Sequence, residues 1–145
     1  MQRVALVASL VVACVLPSAR AYNCLFIGHS FFVPVARRLP ALAAAAGLSH
    51  TQSEVFRGGE GGAPGALWNN VNARGQAQTI LDAGDVDVFG MTVHQTNSEV
   101  ADYQRWIDYA LARNPNTAIL LGLPWLPYPT LSPLYLSTAD YANEY

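Results

Sequence analysis

The sequence contains no lysine, and its eight arginines are outnumbered by ten acidic residues, which gives a formal net charge of −2. Charged residues make up 12% of the chain and form no basic run, so the composition argues against nucleic acid as a partner. There is no Cys/His cluster and no H-x-x-x-H pair, so we expect no metal. The glycine-rich segment is not followed by a phosphate-binding fingerprint, and no other cofactor is expected.

Residues 1–21 are typical of an export signal. Arg3 precedes the apolar run Val4–Leu16, and a small-x-small tripeptide ends at Ala21. The run is too short to span a bilayer comfortably, so we expect no stable membrane span after cleavage. An uncleaved anchor or a buried first strand is the alternative interpretation. We therefore predict a secreted or exported protein, located outside the cell, in a periplasm or in an endomembrane lumen.

Cysteine is scarce as well. Cys14 falls within this signal, and Cys24 is the only other cysteine in the sequence. Residues 22–145 form a single predicted domain with six arginines and ten acidic residues, a formal net charge of −4. One cysteine cannot form an internal disulfide, so the fold must rest on its core. Cys24 falls inside the first predicted strand, and we expect a buried, inert thiol. The sequence carries no signal for the oligomeric state.

Apolar segments of strand length alternate with segments of helical periodicity, which predicts an α/β domain with a mainly parallel sheet. Ser98 is expected to cap the helix that follows it, and Pro40 is expected to kink or restart the first helix. The predicted strands cover 23–28, 51–56, 85–92 and 117–123. The predicted helices cover 33–46, 73–83 and 99–113, with a helical turn over 66–70. Residues 124–133 are predicted to be irregular and 134–145 to begin another helix, so we expect a sheet that is incomplete at its C-terminal side.

Ser30 lies between the first predicted strand and the first predicted helix. The order of strand, Gly28-His29-Ser30 and helix presents a hydroxyl at the carboxyl edge of a parallel sheet. Helix N-terminal N–H groups at this position can stabilise an oxyanion. Two interpretations are open: Ser30 is a catalytic nucleophile, or it is the N-cap of the helix. Catalysis would also require a general base and a group that orients this base.

Two further segments are predicted at the same edge of the sheet. The glycine-rich loop 57–65 either aims backbone N–H groups at an oxyanion or is a flexible surface loop. The tripeptide Gly90-Met91-Thr92 ends the third strand, where open α/β sheets bind their ligands. His94 follows it and is either a base or a loop histidine. His50 precedes the second strand at the opposite edge, and we expect it to be solvated.

Aromatic residues are candidates for a carbohydrate or aryl pocket, although most are expected to pack in the core. Trp125 and Tyr128 follow the fourth strand at the edge that carries Ser30, so they are the better pocket candidates. The remaining aromatic candidates are Trp68, Trp106, Tyr135, Tyr141 and Tyr145.

Three segments together resemble the sequence blocks of SGNH (GDSL-type) hydrolases. Leu25-Phe26-Ile27-Gly28-His29-Ser30 resembles the first block, with His29 where that family has Asp or Asn. Residues 58–62 are similar to the second block, which supplies a backbone oxyanion donor. Residues 87–92 are similar to the third block, with Thr92 in the place of the usual asparagine. The resemblance covers residues 22–123, and the family's final D-x-x-H block has no counterpart in this sequence.

The resemblance implies a flavodoxin-like three-layer α/β/α sandwich and an esterase that acts without a metal. The implied substrates are acyl or acetyl esters of small molecules or glycans. Ser30 would be the nucleophile, and the base would be a histidine beyond residue 145. The implied oxyanion donors are Gly58, Gly59 and Thr92, and the candidate pocket residues are His29, Gly90, His94 and Trp125.

Three other hypotheses remain open. The chain is a non-catalytic ligand- or carbohydrate-binding relative of the same fold, an exported α/β domain in which Ser30 is only a cap, or an esterase that uses His94 as its base. The missing D-x-x-H block and the threonine at position 92 favour the binding relative. We also expect residues 22–145 alone to be poorly soluble, because an incomplete sheet exposes an edge strand and apolar surface.

Overall fold

The computed structural model describes residues 21–94 and 99–123. In these ranges four strands alternate with helices, as the sequence predicts. The strands are β1 (Tyr22–Gly28), β2 (His50–Phe56), β3 (Val88–Thr92) and β4 (Ala118–Gly122). The helices are α1 (Val33–Ala45), α2 (Pro64–Asn69), α3 (Val71–Leu81) and α4 (Val100–Arg113), and a short 3-10 helix spans Gly59–Gly62.

The four strands form one parallel sheet in the order β2-β1-β3-β4. β1 lies inside the sheet, where Cys24 is beside Gln52 of β2 and Val88 of β3. At the other side of β3, Gly90 is beside Leu120 of β4. This strand order, with helices on both faces, is the flavodoxin-like α/β/α arrangement that the sequence predicts. Because all strands run in the same direction, their carboxyl ends meet at one edge of the sheet.

The two faces of the sheet are covered unequally. On one face, Leu25, Ile27 and Phe89 pack against α2, α3 and α4 in a core that fully buries Trp106. The other face packs against α1 in a smaller cluster of Cys24, Phe26, Phe32 and Ala36. An open groove of about 410 Å³ remains on the α1 face, with Phe26, Leu39, Leu42, Val88 and Leu120 among its apolar lining.

The starts of α3 and α4 differ from the predictions. α3 begins at Val71 because the Asn70 side chain accepts a hydrogen bond from the Ala73 N–H (3.0 Å) and caps the helix. The N-cap position of α4 is Glu99, which makes no side-chain cap bond. The predicted cap, Ser98, lies outside the described residues.

The predicted restart at Pro40 is wrong, because α1 runs through that position without a break. A proline in a helix loses one backbone hydrogen bond but does not have to end the helix. The predicted irregular segment 124–133 and the predicted helix 134–145 both lie outside the described residues.

Candidate functional site

Ser30 lies in the turn that connects β1 to α1, at the carboxyl edge of the sheet. The turn is closed by a hydrogen bond from the Phe32 N–H to the His29 carbonyl (3.0 Å). Ser30 is exposed, and its hydroxyl is not hydrogen-bonded within the described residues. The N-cap position of α1 is Phe32, which makes no side-chain cap bond. The interpretation of Ser30 as the helix cap is therefore wrong, and its hydroxyl is available at the edge.

The glycine-rich loop packs directly on this turn. The Arg57 N–H donates to the Gly28 carbonyl (2.9 Å). Gly62 is buried, and a Cβ at this position would overlap the Gly28 carbonyl and lie 2.5 Å from the His29 Cβ. Only glycine allows the two segments to approach so closely. The loop therefore reaches the Ser30 turn, as the sequence predicts.

Gly58 and Gly59, the predicted oxyanion donors of this loop, face open space. Nothing lies within 4 Å of a Cβ placed on either residue. Gly59 has a φ of +51° and begins the 3-10 helix, so its N–H has no partner inside that helix. These two residues keep the exposure that a donor to a bound ligand would need.

Thr92 ends β3, as the sequence predicts, but its hydroxyl is already engaged. It is fully buried, and its hydroxyl donates to the Gly122 carbonyl of β4 (3.0 Å). Its methyl group packs on Gly28, where a Cβ would lie 2.6 Å from the Thr92 Cγ2. A hydroxyl has one proton, and this one is used between strands. The geometry therefore gives no support to Thr92 as an oxyanion donor and shows a packing and strand-bridging role instead.

Gly90, a candidate pocket residue, is also part of the packing. It is buried in β3, and a Cβ there would lie 2.5 Å from the Phe26 ring and 3.3 Å from the Phe32 ring. The two rings meet edge to face, with centroids 5.7 Å apart. Gly90 makes room for these rings on the α1 face.

His29 and His94 lie together at the edge that carries Ser30. Their ring centroids are 5.2 Å apart in an edge-to-face arrangement. His29 is buried, and its Nε2 lies 3.0 Å from the Val93 carbonyl oxygen. His94 is half-buried and directly follows Val93. The structure therefore brings both predicted pocket histidines beside the turn of Ser30.

A second polar cluster, which no pattern in the sequence predicts, lies at the amino edge of the sheet. His50 is half-buried, with Nδ1 3.6 Å from the Cys24 Sγ and Nε2 2.8 Å from Gln52 Oε1. The prediction of a solvated His50 is therefore wrong. The prediction of a buried Cys24 is confirmed, since 4% of this residue is exposed. Burial raises the pKa of the Cys24 thiol, and the carboxylate of Asp87 raises that pKa further.

The described tryptophans belong to the core rather than to a pocket. Trp106 is fully buried, and its Nε1–H donates to the Pro64 carbonyl (2.9 Å). Trp68 packs edge to face on it, with centroids 4.8 Å apart. The core interpretation of these two residues is confirmed. The remaining aromatic candidates, Trp125, Tyr128, Tyr135, Tyr141 and Tyr145, lie outside the described residues.

Within residues 21–94 and 99–123, no group of three or more His, Cys, Asp or Glu side chains is placed to hold a metal ion. No helix in the same ranges is long and apolar enough to cross a membrane. Comparisons with protein-family models, with characterised proteins and with solved structures give no match.

Proposed function

We propose that the chain carries the nucleophile and the oxyanion loop of an exported serine ester hydrolase of the SGNH type. The observation that carries this proposal is the placement of Ser30. This residue is exposed at the carboxyl edge, serves no capping role, and lies beside a glycine loop in which Gly58 and Gly59 are exposed. Open α/β sheets bind their ligands at this edge. The proposed substrates are acyl or acetyl esters, including those on carbohydrates.

In the proposed reaction, the Ser30 Oγ attacks the ester carbonyl carbon and passes its proton to a general base. The base then gives that proton to the leaving alcohol, and an acyl group remains on Ser30. Water, activated by the same base, releases the carboxylic acid and restores the hydroxyl. The backbone N–H groups of Ser30 and Gly59 would stabilise the negative charge on the carbonyl oxygen. Thr92 is omitted from this set, because its proton is donated to Gly122.

Two histidines are candidates for the base. His94 lies at the same edge and packs on the ring of His29, the neighbour of Ser30 in the chain. The other candidate is a histidine beyond residue 145, as the resemblance to SGNH hydrolases implies. Catalytic hydrogen bonds are often long before a substrate binds, so the absence of a Ser30–histidine bond in the described residues does not reject either candidate.

The proposal is tested by the hydrolysis of p-nitrophenyl acetate by the full chain and by its Ser30→Ala variant. Removal of a serine nucleophile lowers kcat by about 10³ or more, so we expect a loss of at least that size. Ser49→Ala is the matched control, because Ser49 is exposed at the opposite edge and should leave the rate unchanged. Equal hydrolysis by wild type and Ser30→Ala would overturn the proposal. His94→Ala distinguishes the two candidates for the base, since it abolishes hydrolysis only if His94 is the base.

A ligand-binding relative without catalysis is the second candidate function. The observation that favours it is the buried, hydrogen-bonded hydroxyl of Thr92, which removes one expected oxyanion donor from the edge. This candidate predicts that acetylated oligosaccharides bind to the wild type and are recovered intact. It also predicts that Ser30→Ala binds them as tightly as the wild type, as measured by calorimetry.

A further inference from the structure

His29 contacts three segments that meet at the carboxyl edge. Its own turn contains Ser30, its Cβ abuts the backbone of Gly62 in the glycine loop, and its Nε2 reaches the Val93 carbonyl beyond β3. Its ring packs on His94, the next residue after Val93. Only 8% of His29 is exposed. The side chain therefore joins the predicted nucleophile, the predicted oxyanion loop and a candidate base.

The hydrogen bonds of His29 give its two ring nitrogens different roles. The Val93 carbonyl can only accept, so the Nε2 at 3.0 Å must carry a proton. The Phe31 N–H can only donate, and it lies 3.4 Å from the Nδ1, which must therefore be unprotonated. Both nitrogens are engaged, so His29 has no free lone pair with which to accept a proton from Ser30.

We propose that His29 is a positioning residue for Ser30, a role that rests on the proposed function. Its bond to the Val93 carbonyl ties the β1–α1 turn to the segment after β3, and its bond from Phe31 fixes the same turn locally. Together they hold the Ser30 hydroxyl and N–H in register with Gly59 and His94. A displacement of about 1 Å at a reacting group can cost about 10²-fold in rate, so loss of this tie lowers the reactivity of Ser30 without removing the nucleophile.

Two substitutions separate the bonds of His29. In His29→Gln, the side-chain amide N–H reaches as far as the imidazole Nε2 and keeps the bond to the Val93 carbonyl. In His29→Asn, the shorter amide oxygen takes the place of Nδ1 and keeps only the bond from the Phe31 N–H. His29→Phe keeps a ring against His94 but makes neither bond. His50→Phe is the matched control, because it removes a half-buried, hydrogen-bonded histidine at the opposite edge.

The measurement is the second-order rate constant for modification of Ser30 by a fluorophosphonate, as a function of pH, at a temperature where each variant is folded by circular dichroism. We expect His29→Gln to react within about tenfold of the wild type and His29→Asn and His29→Phe to react about 10²-fold more slowly. The pH midpoint of the wild type should persist in His29→Gln, and His50→Phe should react like the wild type.

Several outcomes would overturn this role. Equal rates of Ser30 modification in His29→Gln and His29→Asn would show that the bond to the Val93 carbonyl does not position Ser30. This outcome can be read even if His29→Phe fails to fold. Loss of the pH dependence in His29→Gln would make His29 the base rather than a positioning residue. If the wild type itself is not modified at Ser30, the proposed function fails and this role fails with it. Modification of the wild type with no effect of any His29 variant rejects the positioning role alone.

Discussion

Two side chains of nucleophilic type, Cys24 in β1 and Ser30 in the turn after it, lie towards opposite edges of the sheet, and their surroundings differ. Near the amino edge, the Cys24 Sγ lies 3.6 Å from His50, which is held by Gln52 at 2.8 Å, and Gln52 donates to Glu54 at 2.7 Å. Beyond the carboxyl edge, Ser30 is exposed and has no such chain of partners in the described residues. Among the described residues, Cys24 therefore has a more extensive set of hydrogen-bonding neighbours than Ser30.

The comparison shows that a chain of hydrogen bonds does not by itself make a reactive centre. A cysteine reacts as its thiolate, and burial together with the carboxylate of Asp87 favours the neutral thiol of Cys24. Ser30 has what Cys24 lacks, because it is open to solvent and its turn is packed against the glycine loop. We expect the reactivity of this chain at Ser30.

The largest expected effect on stability comes from the glycine at which the loop contacts the Ser30 turn. In Gly62→Ala, the new methyl group overlaps the Gly28 carbonyl and the His29 Cβ, so the two segments must separate. Overpacking of this kind costs about 1–3 kcal/mol of unfolding free energy. Gly58→Ala is the control: it faces open space with a φ of −72° and should change stability by less than about 0.5 kcal/mol. Urea unfolding measures both, and equal stabilities would contradict the close contact.

At the carboxyl edge, substitutions of Thr92 test whether its hydroxyl bridges two strands or stabilises an oxyanion. Thr92→Val keeps the shape of the side chain but removes the hydroxyl that donates to Gly122, which should cost about 1 kcal/mol of unfolding free energy. If that is its whole role, the rate of ester hydrolysis should change little. Loss of an oxyanion donor would instead lower kcat by about 10²–10³. Kinetics and unfolding of Thr92→Val and Thr92→Ser, which keeps the hydroxyl, decide between these roles.

The smallest expected effect is the alkaline pH dependence that Cys24 gives to stability. The fold raises the pKa of this thiol, so the unfolded chain releases its proton first as the pH rises. The stabilisation is fully present below the unfolded thiol pKa of about 8.5 and is lost as the pH rises through the folded value. The unfolding free energy of the wild type should therefore fall across this range more steeply than that of Cys24→Ala. Parallel curves for the two proteins would show that Cys24 is not desolvated.

Much of the fold follows from local signals in the sequence. Strands of continuous apolar residues and the amphipathic helix over 100–113 are visible as periodicity, and the order of strands and helices predicts a parallel sheet. The start of α3 does not follow from the sequence in this way, because Asn70 falls in the predicted helical turn but caps the next helix. This cap is a local interaction, because the Asn70 side chain bonds to the N–H of a residue only three positions along the chain.

Site residues that follow the end of a strand can be predicted from the sequence. Contacts between residues of neighbouring strands cannot. The positions of Ser30 and the glycine loop follow from the points at which β1 and β2 end. The role of Thr92 depends on the Gly122 carbonyl, thirty residues away, and the partners of Cys24 depend on the β1–β2 register. The hydrophobic pattern of one strand does not indicate which residue of the neighbouring strand lies beside it. These contacts become visible only in the folded structure.

The most direct test of the account is the site at which a fluorophosphonate modifies the full chain. Trypsin cleaves after Arg20 and Arg37, so Cys24 and Ser30 fall in one peptide, and fragmentation of that peptide by mass spectrometry locates the adduct. We predict one adduct, on Ser30, which is absent from Ser30→Ala and unchanged in Cys24→Ala. No adduct on Ser30, or an adduct that persists in Ser30→Ala, would contradict the account.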